Sequence, residues 1–147
     1  MSATAVAEAF ERAPLLADRL AAEAPFPSTE AIIARARQLM AGMSEEELIA
    51  MLDAHPRIGA PLQTLSPRAV AEQGPPGELA TARELAEVND VYERRFGFRC
   101  VILVAGRSRA EILAVMRERL ARSRAEELQT GIAEFLAIAH DRLNRGR

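Results

Sequence analysis

The chain has 147 residues, of which 49% are apolar and 27% charged, which is the balance of an ordinary globular protein. Its formal net charge of -2 argues against a general nucleic-acid binder, and it contains no apolar run near the roughly 20 residues that cross a bilayer. All nineteen of its basic residues are arginine, which excludes a lysine Schiff base, pyridoxal-phosphate attachment and a Walker-type phosphate loop.

Serine residues predict where most of the helices begin. Ser28 is expected to cap a helix that runs to about Met40 and ends at Gly42. Ser66 precedes Pro67, and proline is favoured at the first position of a helix. In a Ser-x-x-Glu capping box, the serine hydroxyl and the glutamate carboxylate each accept a hydrogen bond from the other residue's amide. Three such boxes mark further starts: Ser44 with Glu47, Ser108 with Glu111, and Ser123 with Glu126.

Between two predicted helices lies the stretch Ala54-His55-Pro56-Arg57-Ile58-Gly59, which contains one of only two histidines. Imidazole has an ordinary pKa of about 6.5, so it both takes and gives a proton near neutral pH. Pro56 disfavours the helical region for His55, which predicts a rigidly held, extended backbone at the histidine. This position makes His55 a candidate for acid–base chemistry, and the competing interpretation is a polar surface residue in a loop.

The second half of the chain shows helical periodicity in three segments. The first runs from about residue 78 to residue 95 and is closed by Phe96 and Gly97, where glycine permits the left-handed conformation. Two further apolar stripes predict the last helices: Ile112, Leu113, Val115, Met116 and Leu120, and then Ile132, Phe135, Leu136, Ile138, Ala139 and Leu143.

Residues 100–105 break this pattern, because they are apolar on every side and rich in β-branched side chains. They predict a short buried extended segment that Gly106 ends, and a buried start of the next helix is the alternative. An isolated extended segment needs hydrogen-bond partners for its backbone, and a ligand is one possible source of them.

These elements predict an all-α fold: a single compact bundle of about seven helices with one short extended segment, in which residues 1–147 form one domain. Neither histidine stands at the spacing of a zinc site, and no glycine-rich nucleotide fingerprint is present, so we expect no metal and no cofactor. His140 is interpreted as structural and Cys100 as a small buried apolar residue. A single cysteine and an N-terminus without the basic start of a signal peptide favour a cytoplasmic protein.

Taken in order, several short motifs resemble one enzyme family, the decarboxylase of the ureide branch of purine breakdown. That family acts on 2-oxo-4-hydroxy-4-carboxy-5-ureidoimidazoline (OHCU) and produces (S)-allantoin. The resemblance covers nearly the whole chain. It rests on Pro25-Phe26-x-Ser28, His55-Pro56-Arg57-Ile58-Gly59, Glu72-Gln73, Asn89-x-x-Tyr92, Phe96-Gly97-Phe98 and Ile138-Ala139-x-x-Arg142-Leu143.

The resemblance implies an all-helical, cofactor-independent and commonly dimeric enzyme with a small-molecule substrate, and no binding to nucleic acid or membrane. It implies that His55 is the general acid/base and that Glu72 orients the imidazole or hydrogen-bonds the ring hydroxyl of the substrate. It also implies a set of substrate-binding positions: Pro56, Ala69, Gln73, the backbone of Val101, Ile102, Leu103, Val104 and Ala105, and Arg142 as a planar donor fork.

The chain departs from the family pattern in two places. Ala69 stands where the family usually has a serine, which removes a substrate hydrogen bond, and the usual Phe-Gly-Phe-Pro-Phe is here Phe96-Gly97-Phe98-Arg99-Cys100. Two alternatives therefore stay open: an inactive family member that serves as a helical binding module, and an enzyme that acts on a related ureide or hydantoin. Without the family, the residues themselves also allow ordinary roles, with Glu72 in a salt bridge on its own helix, Gln73 solvated and Arg142 as a cation in a last helical turn.

Overall fold

A computed structural model of the chain describes residues 1–58 and 79–145. Within these ranges the chain forms seven α-helices and no β-strand, which confirms the predicted all-α fold class. In chain order the helices are α1 (Ala3–Ala9), α2 (Pro14–Ala22), α3 (Thr29–Ala41), α4 (Glu45–Asp53), α5 (Leu79–Phe96), α6 (Arg109–Arg119) and α7 (Arg124–Arg145). No helix in the described part of the chain is long and apolar enough to cross a bilayer.

The predicted serine caps are present wherever the structure describes them. The Ser28 hydroxyl accepts from the amide of Ala31 at 3.1 Å and starts α3. Complete capping boxes start α4 and α6 at Ser44 and Ser108, and Ser123 has both bonds of a box at the start of α7. The predicted start at Ser66 and Pro67 lies outside the described residues. Each cap is local, since both partners lie within one helical turn, and is worth about 1 kcal/mol.

Two compact units can be distinguished by their internal contacts. The terminal unit comprises Met1–Ala54 and Phe135–Arg147, and the central unit comprises His55–Glu134. The boundary falls inside α7, so this helix contributes its first part to the central unit and its last part to the terminal unit. The prediction of one domain over residues 1–147 stays a prediction.

The terminal unit is built from α1 to α4 and the last part of α7. Its largest fully buried side chains include Phe10, Leu20 and Ile32. The ring centres of Phe10 and Phe135 lie 6.2 Å apart. The Thr29 hydroxyl donates to the side-chain oxygen Oδ1 of Asn144 at 3.3 Å. These contacts join α1 and α3 to the end of α7.

The central unit has an aromatic cluster as part of its core. Tyr92, Phe96 and Phe98 are all buried, and their ring centres lie 4.6 to 6.1 Å apart. Gly97 separates two of these rings with a φ of +82°, as the predicted left-handed cap requires. Along the chain, the cluster lies at the end of α5 and immediately before the apolar segment.

That apolar segment, residues 100–104, is buried for most of its length and lies outside any helix. A turn with positive φ at Ala105 (49°) and Gly106 (77°) ends it, and α6 starts only at Arg109. The structure therefore favours the predicted non-helical segment over the alternative of an early start of the next helix.

Candidate active site

His55 is the first residue of the central unit and follows the C-terminal cap of α4 at Ala54. Its side chain is buried, with 7% of the residue exposed to solvent. The interpretation of His55 as a polar surface residue is therefore wrong, because the imidazole is withdrawn from bulk water. We refer to residues 55–58 as the histidine loop.

Three side chains hold the histidine loop through bonds at both of its ends. Arg57, from the loop itself, pairs with Glu93 at 2.6 Å and with Asp90 at 2.5 Å, both on α5. The hydrogen bond from Arg57 holds the pKa of the Asp90 carboxyl below its usual value. Asn89, a buried residue of α5, donates at 2.9 Å to the carbonyl oxygen of Ile58.

The third side chain acts on the histidine directly. Arg99 follows the aromatic cluster, and its Nη1 donates at 2.8 Å to the backbone carbonyl oxygen of His55. The bond is partly buried and joins residues 44 positions apart in the sequence. The backbone around the candidate catalytic histidine is therefore fixed by the tertiary structure and not only by Pro56.

The apolar segment is fixed by arginine side chains that bond to its carbonyl groups. Arg119 Nη1 donates to the Val101 carbonyl at 2.8 Å. Arg107 donates to the carbonyls of Leu103 and Val104. Residues of the predicted substrate-binding backbone are thus held in place through their carbonyl groups.

Arg119 belongs to a buried polar network within the central unit. Its Nε lies 2.7 Å from Glu127 Oε1, and Glu127 is completely buried. The Tyr92 hydroxyl donates to the same carboxylate oxygen at 2.5 Å and accepts from Arg119 at 3.3 Å. Burial raises the pKa of the Tyr92 hydroxyl, so this group stays protonated. The network satisfies a charge pair that would otherwise be costly to bury.

Arg142 lies in the terminal unit, near the end of α7, and is 5% exposed. Its Nη1 donates to the Ala9 carbonyl at 3.2 Å, and its Nη2 lies 3.4 Å from Glu11 Oε1. The structure therefore places His55 and Arg142 in different units, each with partners from its own unit.

Three predicted site residues, Ala69, Glu72 and Gln73, lie outside the described residues. A cavity of about 210 Å³ is present in the terminal unit, beside Leu15, Met43 and Met51, and none of the predicted site residues that the structure describes lines it. The described ranges contain no cluster of three or more histidine, cysteine, aspartate or glutamate side chains arranged to hold a metal ion.

Of the other two candidate chemical residues, Cys100 is buried as the sequence predicted, and the structural interpretation of His140 stays a prediction. His140 Nδ1 lies 3.0 Å from Asn144 Nδ2, and its Nε2 lies 3.7 Å from Glu30. Cys100 is 2% exposed, and burial raises the pKa of its thiol to about 12. A thiol with so high a pKa carries almost no thiolate near neutral pH and is a poor nucleophile.

Sequence reasoning assigned no role to Asn89, Arg99 or Arg119, although each left a signal. Asn89 and Arg119 occupy the apolar stripes of their helices, Asn89 between Leu85 and Tyr92 and Arg119 three residues after Met116. A polar residue on an apolar face indicates a buried partner. Arg99 is a charged residue between two buried ones and marks a departure from the family pattern.

The sequence matches the profile of one protein family, described as OHCU decarboxylase, over residues 2–144. The chain belongs to the OHCU decarboxylase family. The predicted family and the predicted enzyme class, a decarboxylase, are thereby confirmed.

Similar proteins include two with known sequence and one with a solved structure. The chain is 30% identical over 146 residues to the 2-oxo-4-hydroxy-4-carboxy-5-ureidoimidazoline decarboxylase of Halalkalicoccus jeotgali, which covers 95% of this chain and 81% of that protein. It is 30% identical over 138 residues to the uric acid degradation bifunctional protein PucL of Bacillus subtilis, covering 91% of this chain but 28% of that protein. A crystal structure of OHCU decarboxylase in the presence of (S)-allantoin has the same fold, with a TM-score of 0.74, 24% identity and coverage of 88% of each chain.

Proposed function

We propose that this protein converts OHCU to (S)-allantoin in urate degradation without a cofactor, with His55 as the general acid/base. Membership of the OHCU decarboxylase family supports the reaction. The observation that carries the role of His55 is its setting: a buried imidazole on a loop whose backbone is bonded at His55 and at Ile58. A catalytic proton donor or acceptor needs such a fixed position.

The chemistry explains why a helical protein without a cofactor suffices. The substrate carries a carboxylate and a hydroxyl on one ring carbon, beside a C=N bond. When the bond between the ring carbon and the carboxylate breaks, carbon dioxide leaves. The electron pair of that bond stays with the ring and moves toward the imine nitrogen, which takes up a proton. The resulting enol then loses its hydroxyl proton and gains a proton on the neighbouring carbon, giving allantoin. The substrate is thus its own electron sink.

The protein therefore has to orient the carboxylate and move protons. His55 transfers the proton between the hydroxyl and the ring carbon, and delivery to one face gives the (S) product. Glu72 orients the imidazole or accepts from the ring hydroxyl. Gln73 and the backbone of the segment from Val101 to Ala105 hold the ureido and ring amide groups, beside Pro56 and Ala69. Arg142 offers its donor fork to a carboxylate or carbonyl.

The single cysteine supports the proposed compartment, and the family resemblance supports the proposed assembly. We propose a cytoplasmic homodimer that binds a small-molecule substrate and neither nucleic acid nor membrane, with residues 1–147 forming one domain.

The reaction is tested with OHCU generated in situ from urate, with the chirality of allantoin followed by circular dichroism. The wild-type protein is expected to accelerate formation of the dextrorotatory product over buffer. No acceleration would overturn the decarboxylase proposal and favour an inactive binding module. Turnover of a related hydantoin or ureide, without turnover of OHCU, would identify the substrate as a different one.

His55→Gln tests the catalytic residue. General acid/base catalysis contributes about 10²–10⁴-fold, so we expect kcat to fall by that factor while the far-ultraviolet spectrum stays helical. His140→Gln is the matched control, because it removes the chain's other histidine, and it should retain wild-type turnover. Normal turnover by His55→Gln would remove this residue from the mechanism.

A further inference from the structure

Arg99 contacts the peptide group that carries the candidate catalytic histidine. Its guanidinium donates at 2.8 Å to the carbonyl oxygen of His55, and the contact is partly buried. Hydrogen bonds from a charged donor are shorter and stronger than those between neutral groups. Arg99 itself is anchored between Phe98 and Cys100, each of which is 2% exposed.

A bond to this carbonyl controls the direction of the imidazole. The carbonyl belongs to the peptide bond between His55 and Pro56, and the proline ring fixes the φ of the following residue. Once the plane of that peptide is held, the ψ of His55 is set, and with it the direction of its Cα–Cβ bond.

The other bonds of the histidine loop, from Asn89 and Arg57, act elsewhere. Asn89 holds the carbonyl of Ile58, and Arg57 attaches the loop to α5 through Asp90 and Glu93. Both fix where the loop lies. The bond from Arg99 is made to a backbone atom of His55 itself.

We propose that Arg99 is a positioning residue for His55, which it aims for proton transfer by holding its carbonyl oxygen. This inference rests on the proposed catalytic role of His55. Arg99 lies where the chain departs from the family pattern, so the device belongs to this chain and not to the pattern that it resembles.

The test compares two arginines that make the same kind of bond. Arg99→Met keeps the length of the side chain and removes its donors. Arg124→Met is the control, because Arg124 also donates to a backbone carbonyl, that of Phe96 at 3.1 Å, in a partly buried contact of the same unit. We expect similar falls in melting temperature for both variants.

The two variants should differ in catalysis. A small misplacement of a catalytic group can cost about 10²-fold, so we expect Arg99→Met to lower kcat by about 10- to 100-fold with KM nearly unchanged. Arg124→Met should keep kcat within about twofold. Arg99→Lys, which retains a charged donor, should recover part of the loss. Equal kcat losses in Arg99→Met and Arg124→Met, or a raised KM with normal kcat, would overturn the proposal.

A second readout separates this proposal from the proposed function. The chain contains only two histidines, so the imidazole C–H signals of isotope-labelled protein are readily assigned by NMR. Arg99→Met should shift the ring signals of His55 and leave those of His140 in place, and Arg124→Met should shift neither. Unchanged His55 signals would refute the positioning role even if OHCU is not the substrate. Shifted signals in a protein whose His55→Gln variant stays active would support positioning and refute the catalytic role.

Discussion

Arg119 and Arg142 are buried to the same extent, one in each unit, but their partners differ. Arg119 lies 2.7 Å from Glu127, whose side chain is 0% exposed, and it also bonds to Val101 and Tyr92. Arg142 lies 3.4 Å from Glu11, whose side chain is 27% exposed. The partners Glu127, Val101 and Tyr92 of the first arginine are all buried, whereas the second arginine is paired at longer range with a carboxylate that water reaches.

This difference indicates what each arginine is suited to do. A charge whose partner is fully buried cannot be released without leaving that partner unpaired in a low-dielectric interior, so the pair is structural. A guanidinium whose acidic partner is hydrated can exchange that partner for another anion at a small cost. Arg119 therefore has the setting of a structural residue, and the hydrated partner of Arg142 supports its proposed role in substrate binding.

Removing the buried cation should have the largest effect. Arg119→Met leaves the Glu127 charge in the core with the Tyr92 hydroxyl and with Arg122, at 3.2 Å, as its cation partner. Breaking a buried pair on one side costs roughly 3–5 kcal/mol, and we expect about 3 kcal/mol because Arg122 remains. Urea unfolding measures this loss. The double variant Arg119→Met/Glu127→Met should recover most of it, since no unpaired charge is left; a double variant as unstable as the single one would contradict the comparison.

Changing Arg142 should affect the substrate more than the fold. A hydrogen bond to a charged group is worth about 1.5–3 kcal/mol, so Arg142→Met should lower kcat/KM by roughly 10- to 100-fold, mainly through KM. Steady-state kinetics on OHCU measure this. Glu11→Gln is the control, because it removes the same ion pair and keeps the guanidinium. If Glu11→Gln raises KM as much as Arg142→Met does, then Arg142 acts by holding the end of α1 and not by binding substrate.

The parts of this structure that the sequence predicts are those with short-range causes. A capping box such as that of Ser44 needs only the residue three positions further on, so the start of α4 was readable without the fold. The positive φ of Gly97 likewise follows from its place at a helix end. A motif of five residues makes His55 a candidate catalytic residue, and the order of the motifs along the chain indicates the family.

The bonds that hold the site could not be predicted in the same way, because they join distant residues. Arg99 bonds to His55 across 44 positions, and Asn89 bonds to Ile58 across 31. In the sequence, the place of Arg119 on the apolar face of α6 indicates a buried partner but does not identify it. Its role depends on Glu127, which reaches it only when α6 and α7 pack.

Arg57 is more exposed than Arg119 and Arg142, and its substitution should have the smallest effect on stability. Its side chain is 34% exposed, and that of its partner Asp90 is 60% exposed. Surface pairs are weak, so Arg57→Gln should destabilise the protein least of the three arginine variants. Because it also loosens the histidine loop, we expect a fall in kcat of about twofold, well below that expected for Arg99→Met.

The pH dependence of the loss of stability in Arg57→Gln tests whether Arg57 acts through its ion pair with Asp90. The pKa of Asp90 is lowered from its ordinary 3.8, first by the hydrogen bond from Arg57. A lowered carboxyl pKa stabilises the folded protein above the unfolded value, and this contribution is lost as the pH falls through the folded value. Urea unfolding should therefore show a higher free energy of unfolding for wild type than for Arg57→Gln at pH 6. This difference should shrink as the pH falls below 3.8. Arg35→Gln, which removes the exposed pair with Glu23 in the terminal unit, should show the same trend without any change in kcat. A difference for Arg57→Gln that persists or grows in acid would assign the effect of Arg57 to packing instead of charge.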